Sequence, residues 1–115
     1  MPIPSEVAAF IDRLNQEFNE TEQKATEGVN LVRPLLSRFP DNVRLIQFFT
    51  FFNNALLFVE ISRRRIQAIV ERVSAPDVTG REIQDAGEDL RTLLGRVRSA
   101  KMSGRRILDI LEELR

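Results

Sequence analysis

The side chains best suited to chemistry in this sequence are arginines and carboxylates. Lys24 and Lys101 are the only lysines among 17 basic residues, so arginine dominates the positive charge. A guanidinium group pairs in a forked geometry with carboxylates and phosphates. The candidate contacts for an anion or a nucleic acid lie in a triplet and in a later run that holds no acid. These nine residues are Arg63, Arg64, Arg65, Arg91, Arg96, Arg98, Lys101, Arg105 and Arg106.

The sequence lacks the residues that most catalytic and metal sites use. It contains no Cys, His, Trp or Tyr. Disulfide scaffolds, zinc ribbons, thiol nucleophiles and histidine general bases are therefore excluded. Carboxylate pairs such as Glu17 and Glu20 are interpreted as the solvated face of a helix. We identify no catalytic, cofactor-binding or metal-ligating residue and expect the protein not to be an enzyme.

The nine basic residues have two interpretations. The 17 basic residues balance 17 acids, and no aromatic side chain is interleaved to stack on bases. The first interpretation is that they pair with acids on neighbouring helices, the Arg triplet with Glu17 and Glu20 or with Glu88 and Asp89. The alternative is a nucleic-acid-associated accessory protein that uses them as one stripe.

Two turn signals divide the 115 residues into three segments of similar length, which is the size of a single domain. One signal is Phe39-Pro40-Asp41-Asn42, and the other runs from Ser74 to Gly80. Proline ends a helix, and Asn or Thr starts the next. Thr79 followed by Glu82 is a capping-box pattern. The predicted helices span roughly 5–39, 41–73 and 80–114.

Each segment carries apolar or small residues at alternating steps of three and four, the spacing of a helix. Two features interrupt this pattern. Pro34 lies inside the first segment and predicts a kink near Asn30, because the proline ring meets that carbonyl. Ser103-Gly104 lies inside the third, where we expect one continuous helix and keep a break as the alternative, since Gly costs about 1 kcal/mol within a helix.

These helices predict an all-α, up-down-up antiparallel three-helix bundle that forms one domain, 1–115. Folding at the two turns places the large rings near Phe52 level with Gly28 and with Gly104. Large side chains facing small ones fill space closely. The prediction requires Phe52 to lie within one helical turn of both glycines.

The middle segment is apolar on all sides between residues 43 and 61. Besides the seam facing its neighbours, it has a second stripe, again spaced by three and four. The second stripe consists of Val43, Ile46, Thr50, Asn53, Asn54, Leu57 and Ile61. Left exposed, a stripe of this kind marks an interface. We interpret it as a self-association or partner-binding face, with Asn53 or Asn54 fixing register and a two-fold dimer favoured. The alternative is that another helix of the same chain covers it.

A membrane span is the other explanation for this apolar segment. The uncharged stretch 45–59 is shorter than the roughly 20 residues that a bilayer requires. We therefore interpret the middle helix as the buried, central helix of the bundle and expect no membrane insertion. The first residues show no targeting pattern, so we expect a cytoplasmic location. The predicted function is a small, non-catalytic protein–protein interaction or regulatory module that forms homo-oligomers and binds no cofactor.

Overall fold

The computed structural model describes residues 5–114, which form three long α-helices. Helix α1 spans Ser5–Arg38, α2 spans Val43–Val73 and α3 spans Gly80–Glu113. No strand occurs among these residues. The all-α prediction is confirmed, and the observed helix boundaries lie within two residues of the predicted ones.

Side-chain caps fix where two of the helices begin. The Asn42 side chain accepts a hydrogen bond from the Leu45 amide at 3.0 Å, so α2 starts at Val43. The Thr79 hydroxyl accepts one from the Glu82 amide at 3.1 Å, so α3 starts at Gly80. Each cap satisfies an amide that has no partner within the first helical turn.

The helices run up, down and up, as predicted. Arg63 contacts Glu22 while Phe52 meets Gly28, so α1 and α2 are antiparallel. Helix α3 is parallel to α1, because Phe10 lies beside Leu90 and, further along both helices, Glu20 contacts Lys101. The bundle measures 58 × 19 × 16 Å. Its length is a little more than the roughly 51 Å of one 34-residue helix, so all three helices lie side by side.

The predicted close packing around Phe52 is confirmed. The Phe52 ring is fully buried and lies directly against the backbone of Gly28. On the α3 side, a Cβ placed on Gly104 would lie 3.8 Å from ring atoms of Phe51 and Phe52. The ring is therefore packed tightly against α1 and at ordinary van der Waals distance from α3.

Neither predicted interruption ends a helix. Pro34 lies within α1, which continues to Arg38, and the predicted kink near Asn30 stays a prediction. Helix α3 runs unbroken through Ser103 and Gly104, so the continuous third helix is confirmed and the alternative break is wrong.

The interpretation of α2 as the central, buried helix is wrong. Helix α1 packs extensively against both other helices, whereas α2 and α3 contact each other much less. Periodicity shows that α2 is apolar on several sides, but it does not show how those sides are shared among neighbours. One apolar side of α2 is therefore left uncovered by the other two helices.

Candidate interaction surface

All seven residues of the second stripe are exposed to solvent. Its four large apolar side chains retain 66% (Val43), 44% (Ile46), 53% (Leu57) and 54% (Ile61) of their full exposure. Burying a fully exposed side chain of this kind is worth about 1.5–3 kcal/mol, and about half of that remains to be gained at each of these positions. The second stripe is thus an uncovered apolar surface along one helix.

The helical repeat explains this exposure. The buried seam of α2 recurs every seven residues through Leu45, Phe52 and Val59. The second stripe holds Val43 and Leu57, each two residues before a seam position, and two residues turn a helix by about 200°. The second stripe therefore lies opposite the core. Within residues 5–114 neither α1 nor α3 covers it, so the alternative of an intramolecular cover is wrong.

The two asparagines of the second stripe differ in their hydrogen bonding. The Asn53 side chain donates to the Phe49 carbonyl of its own helix at 3.0 Å. Asn54 makes no side-chain hydrogen bond within the described residues and lies at the edge of a groove beside α3. The sequence alone did not distinguish which of the two fixes the register of an interface. Asn54 is the one whose amide remains available for a group outside the chain.

An apolar groove between α2 and α3 continues from the second stripe. It has a volume of about 510 Å³ and is lined by Phe51, Asn54, Ala55, Phe58, Arg96, Ser99, Ala100 and Ser103. It exists because α3 presents small residues there while α2 presents large rings. Sequence reasoning missed it, although its signal is the run of small residues Ser99, Ala100 and Ser103 opposite those rings. Asn54 belongs to both surfaces and connects them.

Helix α2 is long and apolar enough to cross a membrane, judged by length and composition alone. Only 28% of its most apolar 18-residue window is buried in the bundle. Burial within the chain therefore does not account for the apolar character of α2. The exposed part of that window contains most of the second stripe.

The nine basic residues do not share one face. Arg63 donates to Glu22 at 2.6 Å and to Asn19 at 2.7 Å on α1, and Arg64 pairs with Glu60 of its own helix at 2.6 Å. Only Arg63 of the triplet therefore reaches α1. Its partners there are Glu22 and Asn19, which are close to the predicted partners Glu17 and Glu20.

On α3 the basic residues point to different neighbours. Arg96 lines the groove toward α2, whereas Arg91 lines a groove toward α1 with Glu6 and Phe10. Arg65, Arg98, Arg105 and Arg106 are exposed. The ion pair predicted near Asp89 is made by Arg72, at 3.7 Å, and not by the triplet.

Lys101 is held by two acids of α1. Its Nζ atom lies 2.7 Å from Oε2 of Glu17 and 2.9 Å from Oε2 of Glu20. Contact with the Glu17 carboxylate, and next with that of Glu20, raises the pKa of Lys101 above its ordinary value of 10.5, while partial burial opposes the shift. Hydrogen bonding to Lys101, and then its charge, lowers the pKa of Glu20 below 4.5. Lys101 is thus a link between α1 and α3.

Replacing Lys101 with Met is expected to lower the free energy of unfolding at neutral pH, because Glu17 and Glu20 lose their cation. The lowered pKa of Glu20 means that its contribution is present above about 4.5 and is lost as pH falls through the folded-state pKa. The raised pKa of Lys101 means that its contribution is lost only as pH rises beyond 10.5. The free energies of unfolding of the two proteins, measured with urea, should therefore differ at pH 7, and the difference should shrink as pH falls below 4.5.

Arg98→Met is the matched control for this pair, since it removes one positive charge from an exposed position of the same helix. It is expected to change stability little at either pH. Equal losses from Lys101→Met and Arg98→Met would contradict the specific link to α1.

No family model matches this chain, and no significantly similar curated protein or solved structure was found.

Proposed function

We propose that this protein is a small, non-catalytic interaction module that self-associates through the second stripe of α2. The observation that carries the proposal is a line of four large, exposed apolar side chains on the side of α2 opposite the core. Apolar anchors of this kind supply binding energy by leaving water, and a neighbouring polar group sets specificity. Asn54 is that polar group, because its amide has no partner within the described chain.

Charge favours a second copy of this chain as the occupant. The second stripe contains no charged residue, and a formal net charge of zero means that two copies approach without net repulsion. Exposed Arg64 and Arg65 border one end of the second stripe, and exposed Asp41 lies just beyond the other end. Exposed Arg44 lies beside Asp41, and Glu60 pairs with Arg64, so each end of the second stripe carries charges of both signs that a second copy could pair with.

The second stripe is also better suited to protein than to lipid. Thr50, Asn53 and Asn54 occupy its middle, where a bilayer would offer their polar groups no hydrogen-bond partner. A second helix carrying the same residues offers such partners. Residues 43–61 extend over about 27 Å. The contact therefore involves one side of a single helix from each copy, and we expect an association that depends on concentration.

The test is light scattering coupled to size exclusion at several concentrations, for the wild type and for a Leu57→Glu, Ile61→Glu double variant. The wild type is expected to reach twice its monomer mass of 13.2 kDa. The double variant is expected to stay monomeric and helical, because dimerisation would bury two unpaired carboxylates. Circular dichroism checks the helicity.

The matched control is Gln84→Glu, Met102→Glu, which adds the same two charges at exposed positions of α3, one of them an apolar side chain that is 59% exposed. We expect this control to dimerise like the wild type. A monomeric wild type at every concentration would overturn the proposal, as would a dimeric Leu57→Glu, Ile61→Glu variant. A monomer that floats with phosphatidylglycerol vesicles would assign the second stripe to lipid instead.

A further inference from the structure

Resting on the proposed self-association, we infer that two copies pair their α2 helices antiparallel, about a two-fold axis that crosses the second stripe near residue 52. In this arrangement Val43 of one copy lies opposite Ile61 of the other, and Thr50 lies opposite Asn54. The second stripe lies opposite the core of each bundle, so α1 and α3 leave the approach open.

The order of side chains along the second stripe supports this register. Apolar Val43 and Ile46 come first, polar Thr50 and Asn54 follow, and apolar Leu57 and Ile61 come last. The pattern is the same in both directions, and the midpoint of its two ends is residue 52. An antiparallel pair centred there matches apolar groups with apolar groups and places the free Asn54 amide beside a hydroxyl.

Shifting the pair by one heptad removes this match. Asn54 would then lie opposite Leu57 of the second copy. An amide buried against an apolar side chain without a hydrogen bond is unfavourable, because it loses its hydrogen bonds to water and gains none. A polar residue within an apolar helix seam selects register in this way.

Charge distinguishes the antiparallel pair from the parallel one. A parallel pair also matches like with like along the second stripe, but it places Arg64 and Arg65 of both copies side by side. Juxtaposed like charges disfavour an interface. The antiparallel pair separates the two arginine pairs, which is the difference in charge between the two arrangements. It brings Arg65, which makes no ion pair within residues 5–114, toward the turn of the other copy, where exposed Asp41 lies between exposed Arg38 and Arg44.

The absence of cysteine allows a direct test, because introduced thiols are then the only ones in the chain. Val43→Cys and Ile61→Cys variants are purified separately, mixed in equal amounts and oxidised with copper phenanthroline. Two copies of position 43 lie about 27 Å apart in the antiparallel pair, beyond the reach of a disulfide. We therefore expect the mixed disulfide to exceed either homodisulfide at least tenfold, measured by intact-mass spectrometry under non-reducing conditions.

A second pair, Ile46→Cys with Leu57→Cys, repeats the test at other positions, and Met102→Cys on α3 gives the background from random collisions. If homodisulfides predominate while light scattering shows a dimeric wild type, the antiparallel register is overturned. The proposed self-association would not be affected by that result. Cross-linking no higher than the Met102→Cys background with a dimeric wild type would also overturn the register. A monomeric wild type would overturn both proposals.

Discussion

Replacing Phe52 with Ala is expected to lower the free energy of unfolding by about 3–5 kcal/mol, the range for removing a fully buried aromatic ring. Phe52 is 0% exposed, lies against Gly28 of α1 and stacks edge-on against Phe51 with ring centroids 5.5 Å apart. The surrounding helices close only partly over the space left behind, so the cost of a cavity is added to the lost burial. A loss of this size is a large share of the roughly 5–15 kcal/mol that holds a domain together.

Phe39→Ala is the matched control, because it removes the same ring from a position in the α1–α2 turn that is 51% exposed. We expect its effect to stay below about 1 kcal/mol. The chain has no Trp or Tyr, so urea unfolding is followed by circular dichroism at a fixed protein concentration. Both substitutions are also made in the Leu57→Glu, Ile61→Glu variant, so that dimerisation does not add to the measured free energy of unfolding. Equal losses for Phe52→Ala and Phe39→Ala would contradict the assigned core.

The parts of the fold that could be predicted are those fixed by local chemistry. Pro40 and Pro76 stop helices, Asn42 and Thr79 start them, and these signals need no knowledge of the rest of the chain. The helix lengths and the antiparallel connection then determine which residues are level with Phe52. This is why the contact with Gly28 follows from the sequence.

The sharing of apolar surface among the helices could not be predicted. Periodicity assigns apolar residues to sides of a helix, but a three-helix bundle can place either neighbour against either side. The sequence therefore suggested α2 as the central helix, whereas α1 packs extensively against both others. The groove beside Phe58 arises because Ser99 and Ser103 are too small to fill the space opposite the rings.

Ion-pair partners were predicted only at the level of helix register. The Arg triplet was expected opposite Glu17 and Glu20, but Lys101 of α3 occupies those two acids. Arg63 instead contacts Glu22, close to the predicted level. Long charged side chains can reach several neighbouring partners at similar cost, so sequence spacing identifies the region of pairing and not the pair.

The two apolar sides of α2 differ in burial, and this difference connects the fold to the proposed function. Phe52, on the inner side, is fully buried and holds the bundle together. Leu57, on the outer side, is 53% exposed and contributes little to the folded monomer. Variants of the inner side should therefore change stability, and variants of the outer side should change association. Each set of measurements is a control for the other.

Replacing Gly28 with Ala is expected to destabilise the bundle, although alanine favours a helix over glycine by about 1 kcal/mol. A Cβ at position 28 would overlap three atoms of the Phe52 ring, which is fully buried and has no free space to move into. Overpacking of this kind costs about 1–3 kcal/mol. The steric cost therefore exceeds the gain in helix propensity.

Gly95 and Gly104 separate these two effects. A Cβ at Gly95 meets no atom within 4 Å, so Gly95→Ala is expected to stabilise α3 by about 0.5–1 kcal/mol. At Gly104 the nearest ring atoms lie at 3.8 Å, so alanine there is expected to be tolerated even though the residue is buried. The free energy of unfolding of each variant is measured with urea. If Gly28→Ala stabilised the protein as much as Gly95→Ala, α1 and Phe52 would not be in close contact.

A double-mutant cycle shows whether the cost at position 28 arises from the ring itself. Phe52→Leu alone is destabilising, because it removes buried ring atoms. In the Gly28→Ala background the same change also relieves the overlap, so its cost should fall by about 1 kcal/mol or more. Additive losses would place the strain elsewhere on α1. A positive coupling would show that the absence of a side chain at residue 28 is what allows α1 to approach α2 closely.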